Sequence, residues 1–120
     1  MPTSSESRLK VKRDNGIIQV QFRDRNILDE ANIQQIGEEV KGLIEAEPNP
    51  KLLINFQDVD HLSSAALGTL ITINKRVTGL KGQLRLANID PQIYQVFMIT
   101  RLNKVFDIHE TVDKALASFK

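Results

Sequence analysis

Asn55-Phe56-Gln57-Asp58-Val59-Asp60-His61-Leu62-Ser63-Ser64-Ala65-Ala66-Leu67-Gly68-Thr69-Leu70 is the stretch on which the reading of this chain turns. Just upstream, Leu52 to Phe56 is almost continuously apolar, as expected for a central strand buried on both faces. A polar turn follows, and two adjacent serines then open an amphipathic helix with Ala66, Leu67, Leu70, Ile71 and Val77 on its buried side. Serine oxygens at a helix start accept hydrogen bonds from backbone N–H groups that lack an intrahelical partner. The positive end of the helix also favours negative charge, so a phosphate on either serine is tolerated electrostatically. Ser63 and Ser64 are therefore candidates for a cap, a nucleophile or a phosphorylation site.

The segments on either side alternate in type. Leu9 and Val11 alternate with Lys10 and Lys12, an edge-strand pattern with lysines toward solvent. Asp14-Asn15-Gly16 supplies a tight hairpin turn, and Ile18, Val20 and Phe22 return as a strand with one buried face. Asp29 is placed to cap a helix carrying Ile33, Ile36, Val40, Leu43 and Ile44, which Pro48-Asn49-Pro50 ends. After the serine-initiated helix, Lys75 and Arg76 suit its C-terminal end and Gly79 and Gly82 form the stop. Gln83 to Ala87 reads as a strand, and Asp90-Pro91 as a capping acid before proline at the first position of a third helix, with Ile93, Val96 and Phe97 inward. Val105 to Ile108 forms a last short strand, and Thr111 caps a terminal helix packing through Val112, Ala115, Leu116 and Phe119. The order is β-β-α-β-α-β-α-β-α, an α/β fold in which a mixed sheet, parallel after its opening hairpin, carries packed helices. The serine turn falls at the C-terminal edge of that sheet, where such folds commonly place ligand or partner sites.

With 120 residues, the chain holds one domain with a substantial core. Residues 1–7, rich in Ser and Thr, are expected to be a disordered lead-in to a domain spanning residues 8–120. A formal net charge of +1, with both signs interspersed, gives no reason to expect nucleic acid or a membrane surface as partner. The absence of cysteine excludes a disulfide framework and thiolate metal ligation. With neither a signal-peptide apolar region nor a bilayer-length apolar run, the expected location is the cytoplasm, without membrane insertion.

The Leu28-Asp29 pair ahead of the first helix, and Val59-Asp60-His61-Leu62-Ser63-Ser64-Ala65-Ala66-Leu67-Gly68 after the central strand, resemble the STAS domain. The likeness is specifically to bacterial anti-sigma-factor antagonists and covers roughly Leu9 to Phe119. It implies a non-catalytic partner-switching protein. The dephosphorylated antagonist binds an anti-sigma factor that is also its serine kinase, phosphorylation at the start of the second helix blocks that binding, and a separate serine phosphatase resets the switch. The resemblance places partner contacts at Asp58, Asp60, His61, Leu62, Ser63, Ser64, Ala65 and Asn26. Many family members carry Asp, Ser, Ser or Thr, then Gly ahead of the Leu-Gly pair. Here, Ser63 stands at the Asp position, Ser64 at the first hydroxyl position, Ala65 at the second and Ala66 at the Gly position. Ser64 is thus the preferred phosphate acceptor and Ser63 the second. Asn26 stands where the family often has Gly, a mild change because Asn tolerates a left-handed backbone.

Other chemistries find less support. No glycine flanks the serines as a nucleophile elbow requires, so no enzyme activity is expected. Asp58, Asp60 and His61 follow no established metal-ligand spacing, and neither a metal nor a cofactor is expected. Gly79-Leu80-Lys81-Gly82 matches no phosphate-binding loop, which weighs against a nucleotide or other small ligand. Ile93 and Phe97, with Met98 and Ile99, are expected to be mostly core, with one or two of the four breaking the surface as part of a hydrophobic docking patch. The alternative to the switch is an unphosphorylated STAS scaffold subunit in a larger signalling or lipid-transport assembly. A homodimer is a further possibility.

Overall fold

The computed structural model describes residues 9–23, 26–27 and 30–119. The lead-in over residues 1–7, the Leu28-Asp29 pair and the proposed Asp29 cap lie outside the described residues. Strands β1 (Leu9–Asp14) and β2 (Ile17–Phe22) form the expected antiparallel hairpin, with Asp14 opposite Ile17. Its two turn residues, Asn15 and Gly16, both have positive φ (52° and 80°), as a tight two-residue hairpin turn demands. The chain continues through β3 (Asn26–Ile27), α1 (Glu30–Glu45), β4 (Lys51–Asn55), β5 (His61–Leu62) and α2 (Ser64–Gly79). Then come β6 (Gln83–Ala87), α3 (Pro91–Ile99), a 3-10 turn (Leu102–Lys104), β7 (Asp107–His109) and α4 (Val112–Ser118). The main sheet has the order β1-β2-β4-β6-β7, and every pairing after the hairpin is parallel.

β4 occupies the middle of this sheet, and Leu52, Leu53 and Ile54 are all fully buried. Because side chains alternate across a strand, Leu52 and Ile54 meet α1, α2 and α3 on one side, together with Ile18, Val20, Phe22, Leu84 and Leu86. Leu53 points the other way into a smaller cluster with Ile17, Ala87 and Ala115, closed by Val112, Leu116 and Phe119 around α4. Arg85 fastens that helix to the sheet: its Nε donates to Ser118 Oγ at 2.9 Å, lies 3.0 Å from Asp107 Oδ2, and its guanidinium stacks over Phe119.

Several details depart from the sequence reading. The short parallel pair β3–β5 was not expected. Two-residue strands carry no readable alternation, so periodicity is blind to them. Val11 shares a sheet side with the buried Val20 opposite it but is 43% exposed, because β1 is the sheet edge. On α2, Ile73 is buried and Ile71 only partly so, the spacing 66, 70, 73, 77 following the helical repeat more closely. Val96 is exposed rather than core. The last strand begins at Asp107, two residues later than expected, since Val105 and Phe106 close the 3-10 turn through bonds to the Leu102 carbonyl. The left-handed residue after α2 is Lys81, not a glycine. Gly82 is needed for another reason: a Cβ there would run into the Pro50 carbonyl oxygen and come within 2.9 Å of the Pro50 ring.

Gly82→Ala is expected to lower stability by about 1–3 kcal/mol, because the clash is with backbone that cannot swing away. Chemical denaturation monitored by circular dichroism measures it, and an unchanged midpoint would contradict the close approach.

Candidate functional site

The serine turn is assembled by the end of β4. There Asn55 Oδ1 accepts from the Gln57 backbone N–H at 2.9 Å and from Asn88 Nδ2 at 3.0 Å. Asn88, just past β6, has a positive φ of 58°. The Phe56 N–H meanwhile donates to the Ala87 carbonyl at 2.9 Å. The exits of two neighbouring parallel strands are thus clasped together. From that clasp Phe56–Val59 makes a tight turn, closed by Val59 N–H to the Phe56 carbonyl at 3.0 Å, with Asp58 left-handed at φ 69°. Phe56 and Val59 point into the core while Gln57 and Asp58 face solvent, so the turn is anchored by its apolar ends.

The chain then makes the β5 ladder, His61 opposite Asn26 and Leu62 opposite Ile27, before entering α2. Asn26 therefore sits in a strand, not a left-handed turn. Ser63 is the N-cap in extended backbone (φ −80°, ψ 165°), and its Oγ accepts from the Ala66 N–H at 3.1 Å. Of the two serines that were candidates for the cap, Ser63 is the one so engaged. Ser64 is the first helical residue. It is exposed, and no partner for its hydroxyl is found among the described residues. Ala65 beside it is exposed too. Asp58 and His61 are exposed, and Asp60 and Leu62 half-buried, around the same corner. All eight residues picked from the sequence lie on this corner or on the strand paired to it.

Two features were missed. One is the Asn55–Asn88 clasp; the Asn at the end of an apolar strand was its only visible signal. The other is an open groove of about 410 Å³ between α1 and α2, beginning at Ala65 and continuing past Gly68 and Thr72 to Arg76. The small residues of α2 at this spacing were its signal. Gly37 of α1 lets the helices approach closely, since a Cβ there would meet Thr69 Cγ2 at 3.2 Å. Arg76 joins the far end of the groove to α1 through Glu45, 3.4 Å away. His109 lies with its Nε2 3.0 Å from Asp107 Oδ1. That contact is on β7, away from the serines. Among the described residues no three His, Asp or Glu side chains converge as a metal site, and no helix is long and apolar enough to cross a membrane.

Comparison with known proteins accords with this geometry. The sequence pattern of the STAS domain matches residues 8–115. The chain belongs to the STAS domain family. BtrV of Bordetella bronchiseptica, a candidate anti-sigma factor antagonist, is 23% identical over 96 residues, which cover 80% of this chain and 82% of BtrV. The structure of an anti-sigma-factor antagonist (STAS) domain protein from Planctomyces limnophilus superposes with a TM-score of 0.84 at 20% identity, covering 92% of this chain and 96% of that one. The Bacillus cell fate determinant SpoIIAA in its phosphorylated form superposes with a TM-score of 0.67 at 17% identity, over 91% of this chain and 96% of that one. At these identities the solved structures establish the fold, a five-stranded mixed sheet with four helices.

The two serines are expected to separate cleanly in stability. Ser63→Ala removes the cap and should cost about 1 kcal/mol, whereas Ser64→Ala, with an unengaged exposed hydroxyl, should stay within about 0.5 kcal/mol of the parent. Paired denaturation curves decide it; equal losses would mean that Ser64 shares the capping. Asn55→Ala should loosen the clasp, seen as faster hydrogen exchange at the Gln57 amide than in the parent protein.

Proposed function

We propose that this STAS domain is an anti-sigma factor antagonist that works by protein binding and is switched off by phosphorylation of Ser64. The observation carrying this reading is the division of labour at the head of α2. Ser63 is occupied as the cap, and Ser64 presents a free hydroxyl on the exposed corner formed by Asp58, His61 and Ala65. The kinship with BtrV and the likeness to SpoIIAA in its phosphorylated form support it. The partner is an anti-sigma factor with serine kinase activity, and a serine phosphatase returns the protein to its binding form.

The electrostatics suit a switch. A phosphate adds about −1.5 to −2 charges and three strong acceptor oxygens. At the first turn of α2 it sits at the positive end of the helix, so the fold tolerates it. A docked partner must instead desolvate it, next to the carboxylates of Asp58 and Asp60. A net penalty of ~3–4 kcal/mol lowers affinity by roughly two to three orders of magnitude. Ser63 stands where many family members carry Asp, yet it caps the helix as an Asp does. That departure therefore does not weigh against the switch. Ala65 does favour the second reading, an unphosphorylated scaffold subunit, because it leaves the exposed corner with one free hydroxyl where the family often has two.

Intact-mass spectrometry of protein from its native cells, with the site mapped by fragmentation, is expected to find phosphate on Ser64. Ser64→Glu should bind the anti-sigma factor roughly two to three orders of magnitude more weakly, and Ser64→Ala about as well as the parent. Absence of phosphate from both serines across growth conditions, with Ser64→Glu binding unchanged, would leave the scaffold reading in its place.

A further inference from the structure

Helix α3 is unlike the other long helices of this fold. From Pro91 to Thr100 there is no charged residue. Ile93 and Phe97 account for its buried side. Its outward side is uncharged and largely apolar: Tyr94, Val96, Met98 and Ile99 are exposed beside Gln92 and Gln95, Ile99 to 81%, and Val105 is exposed just after the 3-10 turn. By contrast α1 turns Gln34, Glu38, Lys41 and Glu45 to solvent. An exposed helix side with no charge and several large apolar side chains is a mark of an interaction face.

The charges lie at the ends, with opposite sign. Before α3, an open depression of about 530 Å³ is lined by Asp58, Asp60, Asp90 and Glu110. After it, Arg101 and Lys104 are exposed in the 3-10 turn, with no acid until Asp107. This is an acidic end, an uncharged apolar middle and a basic end along one helix. Such a surface is complementary to itself when turned through 180°. We infer that a second copy of this chain covers it, α3 lying antiparallel on α3 about a two-fold axis near Gln95. The two Gln95 side chains then meet at the axis with the apolar side chains packed around them, and the basic end of each helix faces the acidic end of the other. A two-fold contact of this kind is isologous, so one patch serves both copies and closes the assembly as a dimer. The helix is about 14 Å long, which places the contact at the small end of specific interfaces and makes the dimer weak and reversible. Since Asp58 and Asp60 belong to both the acidic end and the serine corner, dimer formation and occupation of that corner compete for the same rim. The inference rests on α3 and stands independently of Ser64 phosphorylation.

Sedimentation equilibrium over a range of concentrations is expected to show a monomer–dimer equilibrium. Ile99→Asp, at a position exposed in the single chain, should weaken it about 30-fold or more while leaving the thermal unfolding curve in place. Orientation is read separately by cross-linking, because the chain has no native cysteine. Gln95 lies midway along the helix and is exposed, as is Gln92 one turn earlier. In the antiparallel arrangement Gln95→Cys oxidises to a disulfide-linked dimer with itself. Gln92→Cys does not, but it does so when mixed with Met98→Cys, the position facing it across an axis at Gln95. A protein monomeric at every concentration, or a dimer that Ile99→Asp leaves intact, overturns the proposal. So does a monomer that co-sediments with anionic lipid vesicles through α3, which would assign the face to a membrane surface instead.

Discussion

Everything in this fold is arranged around the need to bury β4 on both faces. Leu52, Leu53 and Ile54 are consecutive, so their side chains alternate across the sheet and neither side can be left wet. Fully burying each such side chain contributes about 1.5–3 kcal/mol, and doing so requires a layer on each side. Three helices supply the first layer and α4 the second. Arg85 shows how the thinner layer is held. It is mostly buried among polar partners, with its charge met by Asp107 and its planar face by Phe119, so the seven-residue α4 is fixed by polar contacts as well as by Ala115. A strand so fully enclosed has one point where it must become polar, its C-terminal exit, and there Asn55 begins the serine corner.

That corner is a product of backbone constraint more than of side-chain variety. Asn55 ties residue 57 to residue 88, Asp58 takes the left-handed conformation the turn requires, and Val59 returns the chain to the core. The β5 ladder then fixes His61 and Leu62 against β3. By the time the chain reaches Ser63 it has little freedom left, and the cap to Ala66 fixes the start of α2. A non-Gly residue at positive φ is uncommon and concentrates among Asn and Asp. Here Asp58 and Asn88 occupy such conformations on both sides of the clasp, which ties their identity to geometry before any role in binding is considered.

Much of this was legible in the sequence, and what escaped did so for definable reasons. The central strand, the hairpin at Asn15-Gly16, and the caps at Ser63, Asp90 and Thr111 each depend on a local rule written in a few adjacent residues. Val96 escaped because an apolar residue in a helix is read as core by default. Only the three-dimensional arrangement shows that Ile93 and Phe97 already fill the inward side of α3. The Asn55–Asn88 bond and the two-residue ladder join segments more than thirty residues apart, and no pattern within either segment encodes them. Lys81 and Gly82 illustrate a third kind of miss. The glycine signal was sound, but its cause was the approach of the Pro50 backbone, while the unusual dihedral fell on the lysine.

The state of the helix start bears on how a switch at Ser64 would operate. If the acceptor were the cap itself, adding a phosphate would replace the bond from the Ala66 N–H, and the first turn of α2 would have to reorganise. With Ser63 holding the cap, Ser64 can gain and lose charge while the helix start stays intact. The positive end of the helix offsets part of the added charge inside the protein, whereas an approaching partner receives no such compensation and meets Asp58 and Asp60 as well. On the proposed function, then, the two forms share one fold and differ in the surface they present. The energy that separates them appears only in the complex. A rigid corner is suited to that task, because a flexible one would let the phosphate turn away from the partner and blunt the difference in affinity.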